Sequence, residues 1–207
     1  MAQSPWNQTA LFSQGADDED ERNLWATPPE YFDPLHARFD FGLDAAARAD
    51  STKVLGNYIG PDHEDPRRRD AFSVDWAELS GGRPVWLNSP YGKGIERWLE
   101  LAHHQGQRVV VVHLTFARTD TKWWWRYVLG REKDEAGVWR KARPCAAELI
   151  WIPGRIGFLD PATGAPRVGL DRHGNEREQK APAPSVVSVF RPGYTGRWPV
   201  NTAWLDW

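Results

Sequence analysis

The chain has 207 residues, 41% of them hydrophobic, with a formal charge of −2. That length suffices for one sizeable core and predicts a single domain. One cysteine, Cys145, excludes an internal disulfide and a cysteine-rich metal site. The longest apolar run, residues 109–112 with 114–117 beyond His113, is too short to span a bilayer, so no membrane partner is expected. Residues 1–22 lack the apolar core of a signal peptide, and a soluble, cytoplasmic protein is expected. The near-neutral total conceals an asymmetry. Residues 1–66 carry 4 Lys/Arg against 13 Asp/Glu, net −9, and the remainder 22 against 15, net +7, a balance compatible with a polyanionic partner.

Residues 1–23 are polar, contain the acidic run 17–21 and have little to bury, which reads as a flexible tail. Order is expected from residue 24. Thr27 with Glu30 three residues on has the pattern of a capping box, with Pro28 at the first helical position of a helix that buries Tyr31, Phe32 and Leu35. Residues 39–44 read as a short strand ending in Asp44, followed by Ala45, Ala46 and Ala47. Small side chains there let a ligand approach the backbone, and Asp44 is suited to an ammonium or a pair of ribose hydroxyls; an acid favoured by a helix N-terminus explains it equally. Residues 53–59 are a second strand candidate. In the charged loop that follows, Asp70 is either a ligand for an adenine amino group or a solvated acid paired with Arg67, Arg68 or Arg69.

The organising stretch is residues 84–92. Pro84-Val85-Trp86-Leu87 has the length and content of a buried strand, and Ser89-Pro90 with Gly92 forbids its continuation, so Asn88 is presented at a strand's carboxyl end, where open α/β sheets bind ligands. The chemistry available to Asn-Ser-Pro-Tyr is specific. An exocyclic amine on a nucleobase is a poor nucleophile because its lone pair is delocalised, and two acceptors can draw it toward tetrahedral geometry. The Asn88 side-chain oxygen and the Ser89 carbonyl, held extended before Pro90, are two such acceptors, and Tyr91 can stack on a base swung out of its helix. A strand-to-loop turn with a buried tyrosine has the same appearance.

Beyond it, Ile95, Trp98, Leu99 and Ala102 mark an amphipathic helix ending near Gln105-Gly106, and residues 108–116 form the most strand-like segment, with His113 as a core histidine whose ring is satisfied. At that strand's carboxyl end Thr119 or Asp120 can cap a helix carrying three tryptophans. Arg118, Lys122, Trp123 and Arg126 interleave aromatic and basic groups in a way that suits stacking on bases and pairing with phosphates; tryptophans that simply pack give the same pattern. Residues 131–143 read as a loop or irregular hairpin. Two close strands, 146–152 and 155–159, turn at Pro153-Gly154, residues 160–182 read as a mobile surface segment, and 184–190 supply a further strand. Five alternating β and α elements and then this pair predict an α/β fold, a mostly parallel sheet with an antiparallel edge hairpin. Residues 192–207 form a Trp-rich tail, with Trp198, Trp204 and Trp207 covering either the domain or a subunit contact; monomer and homodimer both fit.

An ordered set of short blocks across residues 24–191 resembles the phage and prophage DNA N6-adenine methyltransferases of the Dam type. These are Trp25-x-Thr27-Pro28, Phe41-x-x-Asp44-x-Ala46, Asp70-Ala71-Phe72-x-x-Asp75-Trp76, Trp86 to Gly92, Arg118-Thr119-Asp120-Thr121-x-Trp123, Gly154-Arg155-Ile156-x-Phe158 and Pro184-Ser185. The resemblance implies a class I S-adenosylmethionine-dependent methyltransferase fold (Rossmann-like), S-adenosylmethionine as cofactor, DNA as partner and adenine as acceptor. It places Trp25, Thr27, Pro28, Asp44, Ala45, Ala46, Asp70 and Asn88 at the cofactor, and Asn88, Ser89, Pro90 and Tyr91 in the catalytic tetrapeptide. The family usually has Pro where this chain has Ser89. Cytosine N4 as the acceptor amine, and a non-catalytic DNA-binding protein on a methyltransferase scaffold, are the alternatives.

Overall fold

The computed structural model describes residues 25–170 and 173–204; the acidic stretch 1–23 and Trp207 lie outside them. Helix α1, Pro29–Phe39, begins one residue later than the capping-box pattern predicts. A residue before proline is disfavoured in helical geometry, so Pro28, preceding Pro29, stays extended with ψ 147° and becomes the N-cap, without a side-chain cap bond. The Thr27 hydroxyl is therefore released from capping. Phe32, Leu35 and Phe39 are the buried face, and Asp40 closes the helix in the left-handed region at φ 54°, its N–H bonded to the His36 carbonyl.

The main sheet has six strands in the order β1-β2-β3-β9-β6-β10: β1 Leu43–Asp44, β2 Val85–Leu87, β3 Val111–Phe116, β6 Glu148–Trp151, β9 Ser185–Phe190 and β10 Val200–Ala203. The pairs β1/β2, β2/β3 and β6/β10 are parallel, and β9 runs antiparallel to both β3 and β6. This is the mixed, mostly parallel α/β sheet expected, consistent with a class I methyltransferase fold. Its antiparallel component is built differently in detail. The partner of β6 is β9, and residues 155–159 join no strand of the sheet. Instead Ala26 and Leu159 exchange both backbone bonds, Ala181 donates to the Ile156 carbonyl, and Arg167 donates to that of Phe158. Residues 160–182 are correspondingly not featureless: β7, Val168–Leu170, and β8, Glu176–Glu178, form a hairpin there. The Trp-rich tail contributes β10, too short and too polar to read as a strand alone; its Thr202 hydroxyl donates to Glu148, both of whose oxygens also accept from Nη2 of Arg38.

Strand β2 is buried at all three positions, as its apolar run predicts. Alternation sends Val85 and Leu87 to one face with Val111, Trp76, Trp98 and Leu99, and Trp86 to the other with Phe32, Phe41, Val112 and Ile150. Helix α2, Trp76–Leu79, is capped by Asp75, whose Oδ1 accepts from the N–H groups of Ala77 and Glu78. Helix α3, Ile95–Gln105, covers the first face with Trp98, Leu99 and Ala102, in keeping with the three-and-four spacing. Residues 53–59 do not form the strand expected of them. Gly56 turns the chain at φ 74°, and only Tyr58 bridges to Asp44, extending the sheet edge by one residue.

After β3, Trp124 and Trp125 lie in a π-helical turn, Trp124–Val128, with Trp123 at its N-cap position and no side-chain cap from Thr119 or Asp120. Trp124 is buried, whereas Trp123 and Trp125 are half-buried, and Trp125 stacks on Trp139 at 5.2 Å. Residues 131–143 are a regular hairpin of β4, Arg131–Lys133, and β5, Trp139–Lys141. No helix among the described residues is long and apolar enough to cross a membrane.

Candidate active site

The register of β1 against β2 pairs Leu43 with Val85 and Asp44 with Trp86. Both strands therefore end together, Asp44 closing one and Asn88 following the other, on the rim where the sequence reading put them. Between them lies a cavity of about 290 Å³ lined by Trp25, Thr27, Asp44, Ala46, Asn88 and Pro90 among the residues the sequence singled out. The reading missed other wall residues: Arg48, Ser51 and Lys53 from the loop after β1, Gly60 and Pro61, and Trp86 and Trp98 from the core. Only the lysine and arginine carry a signal, and one cation in a polar loop resembles any other until the fold turns it inward.

Asp44 is 3% exposed. Its Oδ2 accepts from the Lys53 N–H at 2.9 Å and its Oδ1 from the Ala46 N–H at 3.5 Å, so the carboxylate pins the loop while facing the cavity. Burial raises its pKa to about 6, against the lowering effect of those two bonds and the nearby Lys53 charge. Burial also lowers the Lys53 pKa, while Asp44, Asp33 and Glu30 oppose the shift. Ala45 points into the core and sends its N–H to the Trp86 carbonyl. Gly60 packs on the Ala47 carbonyl so tightly that any Cβ would overlap its oxygen. Two wall atoms are buried without a hydrogen-bond partner among the described residues, Thr27 Oγ1 and Trp25 Nε1. Buried polar atoms are as a rule satisfied, so these two fit a polar occupant of this cavity. Pro28 is buried behind Thr27 as the helix cap, outside the lining residues.

Asp70 is not among the lining residues; its Oδ1 accepts from the Phe72 N–H at 3.0 Å in a local turn. Of the arginines weighed as its partners, Arg67 is bonded to Asp65 and Arg68 to Asn57.

The tetrapeptide is held from three directions. Asn88 Nδ2 donates to the Trp25 carbonyl at 3.2 Å, and Asn88 Oδ1 accepts from the Tyr91 hydroxyl at 2.8 Å. A carbonyl only accepts, so the amide orientation is fixed with its oxygen toward Tyr91, keeping one lone pair free. The Trp25 ring stacks on Phe158 at 5.3 Å, and the Tyr91 ring lies on Phe116 at 4.2 Å and 16°. Burial raises the Tyr91 phenol well above its ordinary range, so it acts as a hydrogen-bond donor at neutral pH. Ser89 is 1% exposed, and its Oγ is 2.9 Å from His113 Nε2. The expectation of a fully satisfied His113 ring does not hold, since Nδ1 is buried with no partner among the described residues, and burial lowers the ring's pKa to about 3.

Tyr91 also walls a second cavity of about 310 Å³, with Phe116, Arg118, Thr121 and Trp123. Beside it runs a groove lined by Lys122, Trp125, Arg126, Lys133 and Trp139. The four residues proposed for DNA thus gather on one rim. Arg126 is already engaged by Glu96 at 3.5 Å and Glu132 at 3.1 Å, and Arg118 by Asp120 at 3.6 Å.

A family model described as DNA N-6-adenine-methyltransferase (Dam) matches residues 14–198. The chain belongs to this family. No curated protein and no solved structure matches it. The match spans every strand of this Dam-family protein except β10. No group of three or more metal-ligating side chains occurs among the described residues.

Proposed function

We propose that this Dam-family protein transfers a methyl group from S-adenosylmethionine to the N6 amine of adenine in DNA, at the rim formed by Asn88–Tyr91. The observation that carries the reading is the fixed Asn88 amide beside a cavity that Asp44 shares. The donor suits that cavity by its chemistry. Its ammonium and ribose hydroxyls complement Asp44, its carboxylate complements Lys53 or Arg48, and its polar atoms give Thr27 Oγ1 and Trp25 Nε1 the partners they lack. A volume of about 290 Å³ sits near the lower bound of roughly 300 Å³ for small-molecule sites. Bound there, S-adenosylmethionine supplies an electrophilic methyl group on a sulfonium.

The chain's residues then prepare the nucleophile. Asn88 Oδ1 and the Ser89 carbonyl accept the two amine hydrogens and pull the nitrogen lone pair out of the ring, and loss of one proton to solvent follows attack. No strong base is required, in keeping with a neutral His113 and a protonated Tyr91. Tyr91, stacked on Phe116 and flanked by Phe158 at 5.8 Å and Trp25 at 6.3 Å, supplies the aromatic surface for the extruded base. Arg118, Lys122, Trp123 and Arg126 line the approach, where backbone phosphates position the duplex. Incubating the protein with DNA and labelled S-adenosylmethionine, then separating the nucleosides by mass, tests this. N6-methyladenine is expected. N4-methylcytosine, or no labelled nucleoside, refutes it.

A further inference from the structure

Besides the groups that touch the proposed reactants, one buried contact stands directly behind the reacting loop. The parallel register sets Leu87 beside His113, so the imidazole on β3 reaches along the sheet to the first turn of the loop and meets Ser89 Oγ at 2.9 Å. Both residues are essentially inaccessible, at 1% and 0%. This is the ring's one hydrogen bond among the described residues, Nδ1 having none. A buried histidine held neutral, with half its bonding capacity unused, is expensive to keep as packing alone.

Ser89 needs such an anchor. Pro90 restrains its backbone to the extended region, a range still tens of degrees wide, and leaves the side-chain rotamer free. Tying Oγ to a ring embedded in the central strands fixes the rotamer and narrows that range, and with it the direction of the Ser89 carbonyl. We infer that His113 is a positioning residue: through Ser89 Oγ it aims the Ser89 carbonyl at the substrate amine. The inference rests on the proposed role of that carbonyl, and its chemistry involves no proton transfer at the histidine.

The test compares Ser89→Ala, His113→Asn, the two combined, and His113→Gln. Glutamine's terminal amide reaches about as far as Nε2, whereas asparagine's stops short. Ser89→Ala and His113→Asn should each lower kcat on the order of tenfold or more, as a misaimed group does. The Kd for S-adenosylmethionine by calorimetry should stay within about twofold. The double variant should be no slower than either single one, and His113→Gln should recover most of the rate. Parent-like kcat in Ser89→Ala, multiplying losses in the double variant, or losses confined to cofactor Kd each overturn the inference. A second readout is independent of catalysis. The backbone carbonyl ¹³C resonance of residue 89, single in the parent, should split or broaden in His113→Asn and return to one line in His113→Gln. An unchanged single line in His113→Asn refutes the positioning role whether or not the protein methylates DNA. Absence of transfer by the parent with the resonance pattern intact refutes the proposed reaction and leaves the contact in place.

Discussion

Replacing Asn88 with alanine separates what this side chain does for the fold from what it does for the reaction. In the fold it makes two neutral hydrogen bonds, to the Trp25 carbonyl at 3.2 Å and from the Tyr91 hydroxyl at 2.8 Å. Each is worth about 1 kcal/mol net, so the expected destabilisation is about 2 kcal/mol, visible by denaturant titration but insufficient to unfold a typical domain. In the reaction it supplies one of two acceptors for the amine. By analogy with removal of one oxyanion-hole donor, kcat should fall roughly 10²- to 10³-fold. Cofactor affinity should fall far less than kcat: Asn88 lines the cavity and holds Trp25, but Thr27, Asp44 and the loop after β1 are untouched. The assay is methyl transfer to DNA at saturating substrate, with calorimetry for the cofactor. Asn88→Asp is the companion, keeping an acceptor while turning a carboxylate oxygen toward the Trp25 carbonyl, and it should also fail. A variant that folds, binds cofactor and methylates DNA at the parent rate refutes the reasoning.

Thr27→Val removes a buried hydroxyl that has no partner among the described residues, so stability should rise by about 1 kcal/mol while S-adenosylmethionine binding weakens severalfold; a stability loss would mean the hydroxyl is already satisfied. Asp44 has its pKa raised from 3.8 to about 6, which makes its ionisation a cost to the folded state. The cost is absent below about pH 4, where the group is protonated in both states. It grows as pH rises and is complete above about pH 6, at roughly 3 kcal/mol. Asp44→Asn should therefore gain stability relative to the parent more at pH 7 than at pH 4. Cofactor affinity, which needs the carboxylate, should fall as pH drops through 6; a flat calorimetric profile from pH 8 to 5 refutes this. Gly60→Ala drives a methyl group into the Ala47 carbonyl and should cost several kcal/mol with loss of cofactor binding, measured by thermal denaturation and calorimetry.

Legibility in the sequence followed how local the cause was. Val85–Leu87 and the turn after it were readable because an apolar run cut by Ser89-Pro90 and Gly92 permits little else, and this alone placed Asn88 at the carboxyl end of β2. Asp44 was readable through the small residues after it. The start of α1 was misread by one residue because the second proline, not the first, takes the first helical position, and that shift turned Thr27 from a helix cap into a cavity wall. His113 was legible as buried but not as the support of Ser89, since 24 residues separate them and only the register of β2 on β3 joins them. Lys53 is brought to the site by the turn from Arg48 to Thr52 and by its own N–H bond to Asp44, which strand propensity concealed. β10 draws its stability from pairing with β6, a cause that no four-residue pattern carries.

The two cavities meet residues 88–91 from different sides, one through Asn88 and Pro90 and the other through Tyr91. On the proposed function, donor and nucleic acid would reach residues 88–91 through separate doors. Initial-rate plots with both concentrations varied should give intersecting lines, the signature of a ternary complex.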